Sequence, residues 1–132
     1  MPKTLKLLLD TCTFLWIVSG STDLSDRARH LFINPENEVY LSAASVWEVI
    51  VKNRIGKLPL PEPPHDFIHK WRLRHQIKSL AIDESSVIQL YYLPEHHKDP
   101  FDRILICQSI ANKMIILTPD PLITKYPVRV EW

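Results

Sequence analysis

At 132 residues the chain is expected to form a single domain, 1–132, with a core of ordinary size. A hydrophobic share of 45% with 23% charged residues is the composition of a soluble globular protein, and 16 basic against 15 acidic residues give a net charge of +1. Net charge therefore carries no signal for nucleic acid, and any basic surface must be a local patch.

Taken in chain order, Leu5–Leu9 is a short apolar run that suits a buried parallel strand and is too short for a signal peptide or membrane span. It ends on Asp10-Thr11. Thr13–Val18 reads as a short helix. Ser25 and Asp26 open a second helix that stops near Asn34-Pro35. Val39–Leu41 is a second strand, and Ser42 or Ser45 starts a helix with Val46, Trp47, Ile50 and Val51 on its apolar side and Gly56 as its stop. Glu48 falls at the edge of that apolar face. The stretch Leu58–Pro64 holds four prolines in seven residues and reads as a stiff connection. An amphipathic helix follows over His65–His75 with Phe67, Ile68 and Trp71 inward. Ile77–Ile82 is a third strand, and Asp83 or Ser85 caps a helix through Tyr91. Asp99 is a good N-cap and Pro100 fits the first position of a long helix carrying Phe101, Ile104, Leu105, Cys107, Ile110, Ala111 and Met114 at helical spacing. Ile115–Leu117 is a fourth strand ending at Thr118-Pro119-Asp120, and Val128–Val130 a short edge strand. Strands alternating with helices imply an α/β fold around a mainly parallel sheet of four to five short strands. The two cysteines, Cys12 and Cys107, lie in apolar patterns with no metal or disulfide spacing, and are expected to be buried free thiols in a reducing cytoplasm.

In an open α/β sheet the working crevice lies beyond the carboxyl ends of the strands, where Asp10 and Asp120 fall. Asp99 and Asp102 open a helix and Glu48 lies early in another. Several carboxylates in one crevice repel each other unless a cation joins them, and oxygen-only ligands favour Mg²⁺ or Mn²⁺. Taken singly, each acid has a plainer role. Asp10 can cap the next helix, Glu48 can pair with Lys52 at i,i+4, Asp99 can be only a cap, and Asp120-Pro121 can be only a turn. Thr11 and Thr118 are expected to orient neighbouring carboxylates or waters. Lys52, Arg54 and Lys57 form a local basic run that is either a solvated face or a set of RNA phosphate contacts. His96 and His97 read as loop histidines, since no third soft ligand is near. Trp16, Trp47 and Trp71 read as core or interface.

Several segments together resemble a PIN-domain ribonuclease, and more narrowly the VapC-like toxins of toxin–antitoxin pairs. They are Leu8-Leu9-Asp10-Thr11 with Leu15-Trp16, the run Leu41–Glu48, Gly56-Lys57-Leu58, the run His96–Gln108 and Thr118-Pro119-Asp120. The likeness spans about Leu7 to Trp132. It implies a PIN-like three-layer fold and a metal-dependent endoribonuclease in which Asp10, Glu48, Asp102, Asp120, and often Asp99, surround Mg²⁺ or Mn²⁺. A metal-activated water would cleave a structured RNA such as transfer RNA and leave a 5′-phosphate. It also implies a homodimer, with contact surfaces sought around Trp16 and Trp71, and a small antitoxin whose tail brings an Arg to the carboxylates. Three positions depart from the pattern: Cys12 where the subgroup often has His, Pro119 inside Thr-x-Asp, and Lys113 near an often-used Gly. The alternatives are a non-catalytic PIN-fold protein-binding module, marked by loss of acids, and an aspartyl-phosphate phosphatase. The latter wants an acid where Cys12 stands.

Overall fold

A computed structural model describes residues 4–132. Five strands, β1 (Lys6–Leu9), β2 (Glu38–Ser42), β3 (Lys78–Leu80), β4 (Ile115–Leu117) and β5 (Arg129–Glu131), form one sheet in the order β3-β2-β1-β4-β5. Every neighbouring pair is parallel. The register sets Leu7 opposite Val39 and Ile115, and Leu9 opposite Leu41 and Leu117.

The period-two alternation of the strands separates two cores, which makes three layers. Leu7, Leu9, Val39, Leu41, Ile115 and Leu117 point to one face, where they meet Phe14, Val49, Phe67 and Ile68. Leu8 and Ile116 point to the other, against Ile104, Leu105, Ile106, Ile123 and Tyr126. Both faces are covered by helices, so the central strands are continuous apolar runs rather than alternating ones. The helices are α1 (Thr11–Ser19), α2 (Asp26–Ile33), α3 (Ala43–Arg54), α4 (Pro64–His75), α5 (Glu84–Gln89) and α6 (Pro100–Asn112), with a 3-10 turn at Ile123–Lys125 that the sequence patterning did not signal.

Local chemistry starts these helices where the side chains suggest. Ser25, Ser42, Asp83 and Asp99 each cap with a side-chain oxygen. The first helix begins earlier than expected, at Thr11. Asp10 itself is its N-cap and accepts from the Thr13 N–H at 2.8 Å, so no loop separates strand from helix. At the far end of α6, Lys113 is the C-cap and takes the left-handed conformation at φ 55°, a backbone position that favours glycine.

The apolar face expected for α3 is corrected. Trp47, Ile50 and Val51 are exposed, and the buried face is Ala44, Ser45, Glu48 and Val49. The buried pairs Ala44/Glu48 and Ser45/Val49 are each four apart and so share one face of α3, whereas Trp47 lies on the surface with its ring edge-on to Phe101. Cys107 is buried as expected, but Cys12 is exposed. Trp16 and Trp71 are half-buried, Trp16 against Trp132 and Trp71 stacked on His75. Among the described residues no helix is long and apolar enough to cross a membrane.

Candidate active site

Parallel pairing brings the carboxyl ends of β1 and β4 to the same edge, and Asp10 and Thr118 are the first residues beyond them. The Thr118 hydroxyl donates to Asp10 Oδ2 at 2.5 Å, and Thr13 N–H holds Oδ1. Asp10 is buried, and burial raises its carboxyl above the ordinary range against the pull of those hydrogen bonds, with Asp120 adding to the rise. Asp120 hangs from the same threonine, its N–H donating to Thr118 Oγ1 at 3.1 Å, while its Oδ1 accepts from Leu122 N–H at 2.8 Å in a turn.

Glu48 is buried on the inner face of α3, one turn past the Ser42 cap. The Thr11 hydroxyl donates to Glu48 Oε1 at 2.6 Å and the Lys52 ammonium pairs with Oε2. The i,i+4 pairing is therefore present, and it takes Lys52 out of a purely solvated face. Arg54 and Lys57 are exposed at the end of α3 and in the turn after it.

Asp99 caps α6, its Oδ1 accepting from Phe101 N–H at 2.9 Å and Asp102 N–H at 3.2 Å. Asp102 is one turn in and is not needed as a cap. Its carboxyl is pushed up to about 7, by burial first and then by the charges of Asp99, Asp10, Glu48 and Asp120. Asp102 thus lies within the field of all four other candidate acids. Cys12 faces the same crevice: desolvation and the charges of Asp10 and Glu48 raise its thiol, Lys52 works against them, and Asp102 adds a smaller rise.

Four of the five acids are thus already held by a partner: Asp10 by Thr118, Glu48 by Thr11 and Lys52, Asp99 by the helix it caps and Asp120 by its turn. Among the described residues no three His, Cys, Asp or Glu side chains form a ready-made metal cage. The donor set nonetheless fits a hard divalent cation. It is all carboxylate oxygen, and the charges of four other acids add to the burial that raises Asp102.

Two residues beside the crevice escaped the sequence reading. His97 is not a free loop histidine: its side chain is only 9% exposed and stands beside Asp102. Tyr126 holds it there, with His97 Nδ1 2.9 Å from its hydroxyl. Proximity to Asp99 was a signal for His97. Tyr126, a single aromatic after a 3-10 turn, offered none.

A pH dependence follows. An unfolded carboxyl titrates near about 4. Because Asp102 is raised in the fold, the stability it contributes is present below that value and is lost as pH rises through about 7. His75 runs the other way: burial lowers its imidazole, so its contribution grows as pH rises toward 6.5. Calorimetric melting of metal-free protein from about pH 5 to about pH 8 should therefore show a drop that is smaller in Asp102→Asn than in the parent. An identical pH profile in the two would contradict the shift.

A three-layer α/β sheet with carboxylates gathered at the carboxyl edge of its central strands defines an acidic-crevice protein. The chain belongs to the PIN domain family, whose sequence profile matches residues 7–128. It is 32% identical over 65 residues to Ribonuclease VapC16 of Mycobacterium tuberculosis, a match covering 49% of this chain and 46% of that protein. The chain thus spans about half the length of the curated relative it matches. Among solved structures, it is similar to VapBC2 from Rickettsia felis bound to a fragment of promoter DNA, at a TM-score of 0.73 and 12% identity, over 96% of this chain and 98% of that one. DNA-bound VapBC from Salmonella typhimurium is similar at a TM-score of 0.67 and 15% identity, over 97% of this chain and 98% of that one. At these identities the likeness concerns the fold.

Proposed function

We propose that this protein is a Mg²⁺- or Mn²⁺-dependent endoribonuclease, the toxin of a toxin–antitoxin pair acting in the cytoplasm. The observation that carries the reading is Asp102, a carboxyl at a helix mouth raised by burial first and then by the charges of Asp99 in its own segment and of Asp10, Glu48 and Asp120 from three others. Such a convergence has no use in capping or core packing. The relative's name as a ribonuclease, and the structural neighbours' description as VapBC complexes, support the same reading.

Asp10, Glu48, Asp102 and Asp120 would hold the cation, with Asp99 as a further ligand or as a cap only. When bound, the cation supplies positive charge that polarises water and the phosphodiester oxygens. The chain's own groups prepare the crevice. Thr118 and the Thr13 N–H fix both oxygens of Asp10, and Thr11 fixes Glu48. Lys52 offsets the charge of Glu48 and would receive an RNA phosphate, with Arg54 and Lys57 extending the basic run.

The substrate class is structured RNA such as transfer RNA, cut to leave a 5′-phosphate. An antitoxin would cover the crevice, and an Arg from its tail would satisfy the carboxylates in place of the cation. For this and for a homodimer contact, the candidate surfaces are the segments around Trp16 and Trp71, the latter with Leu73 exposed, together with the exposed Trp47, Ile50 and Val51 of α3 and Tyr91 and Tyr92 after α5.

The test is cation removal. EDTA should abolish RNA cleavage, Mg²⁺ or Mn²⁺ should restore it, and either ion should raise the melting temperature by binding the native state. Undiminished cleavage in EDTA would sink the mechanism.

A further inference from the structure

The Tyr126 hydroxyl is the centre of a knot that ties the segment before α6 to the chain after β4. The backbone N–H groups of His96 and His97 donate to it at 3.0 and 3.1 Å, and Arg103 Nη1 donates at 3.1 Å. Arg103 is fixed in turn on the Pro94 carbonyl at 2.9 Å. Three donors use up the two lone pairs of the hydroxyl oxygen, so its own proton must go to a nearby acceptor. Two are in reach, His97 Nδ1 at 2.9 Å and the His97 carbonyl at 3.5 Å. The ring nitrogen is the closer, so Nδ1 is the bare, accepting nitrogen. In a neutral imidazole the proton then sits on Nε2.

That Nε2 faces Asp102. It stands 3.5 Å from Oδ2, in a side chain that is 9% exposed, and it has no hydrogen-bond partner in the structure. The distance is beyond an ordinary N–H···O bond, so a buried donor is aimed at a carboxylate without yet bonding it. Only a small approach of Asp102 completes the bond.

We propose that His97 is the positioning residue of Asp102: Tyr126 sets its tautomer and ring plane, and its Nε2–H takes Oδ2, leaving Oδ1 as the oxygen offered to a cation. The assignment rests on the cation-binding reading of the crevice. Hydrogen bonds to the far oxygen of a ligating carboxylate fix its orientation, and removing such a partner typically costs about 10–100-fold in metal affinity.

The experiment is Mn²⁺ binding to the full chain, read from the paramagnetic resonance of free Mn²⁺, with metal-free melting recorded alongside. His97→Ala should weaken binding about 10–100-fold. His97→Gln, whose amide N–H can replace Nε2–H, should recover most of it. In an Asp102→Asn background the loss from His97→Ala should largely vanish. Parent-like affinity in His97→Ala, an equal loss in the Asp102→Asn background, or a His97→Gln variant as weak as His97→Ala would each overturn the assignment. Should His97→Ala fail to fold, His97→Gln decides: retained affinity supports the role and lost affinity overturns it. A parent chain that binds no Mn²⁺ removes the cation reading itself, and the assignment with it.

Discussion

Asp102→Asn is expected to lower the RNA cleavage rate at saturating Mn²⁺ by about 100-fold or more, the equivalent of about 3 kcal/mol of lost stabilisation. The same change should leave the fold intact, and slightly more stable without metal, because a buried carboxyl repelled by four others becomes neutral. Asp99 supplies the contrast. Its Oδ1 takes two backbone N–H groups of the first turn, a job that Asn does nearly as well. Asp99→Asn should keep the fold and, if Asp99 is a cap alone, much of the activity, while Asp99→Ala should cost about 1 kcal/mol of stability. Thermal unfolding without metal and cleavage rates with it, measured on the same three variants, separate the two acids. Cleavage at the parent rate by Asp102→Asn would show that the wrong acid has been put at the centre.

Gln108→Ala should be the most damaging change that touches no acid. Gln108 is fully buried in α6 and bridges two strand ends, accepting from the Ser42 hydroxyl at 2.6 Å and donating to the Ala81 carbonyl at 3.1 Å. Truncation leaves a cavity and the buried Ser42 hydroxyl without its acceptor, a loss of about 3 kcal/mol in urea unfolding. Ser42 is the N-cap of α3, so cleavage should fall as well through displacement of Glu48. A loss below about 1 kcal/mol would show that water replaces the bridge.

The sheet was legible because its central strands are buried on both faces. Leu7–Leu9 and Ile115–Leu117 are uninterrupted apolar runs, a pattern that a parallel central strand needs. The start of α6 was legible because Asp99 and Pro100 are local signals that need no tertiary context. The orientation of α3 was not. Val46, Trp47, Ile50 and Val51 form the more hydrophobic stripe, yet the helix buries Ala44, Ser45, Glu48 and Val49. Glu48 is carried inside by the Thr11 hydroxyl, a partner 37 residues away, and hydropathy alone does not carry that information. In the crevice, the acids announced themselves through their positions at strand and helix ends. The groups that hold them were less visible. The Thr118 bond to Asp10 spans 108 residues of chain, and the link from Tyr126 to His97 depends on a turn without periodic signature.

The strand order has a consequence for when activity can first arise. β1 precedes the other four strands in sequence but lies at the middle of the sheet, and one of its two partners is β4, about 100 residues further along the chain. Until Ile115–Leu117 has left the ribosome, β1 has an open edge, Asp10 lacks its threonine, and Asp120 does not yet exist. Pairing so distant in sequence is also slow, because the loop must close before any contact stabilises it. A growing chain can therefore assemble the α3 helix and its Glu48–Lys52 pair early, while the crevice stays open until β4 has joined the sheet.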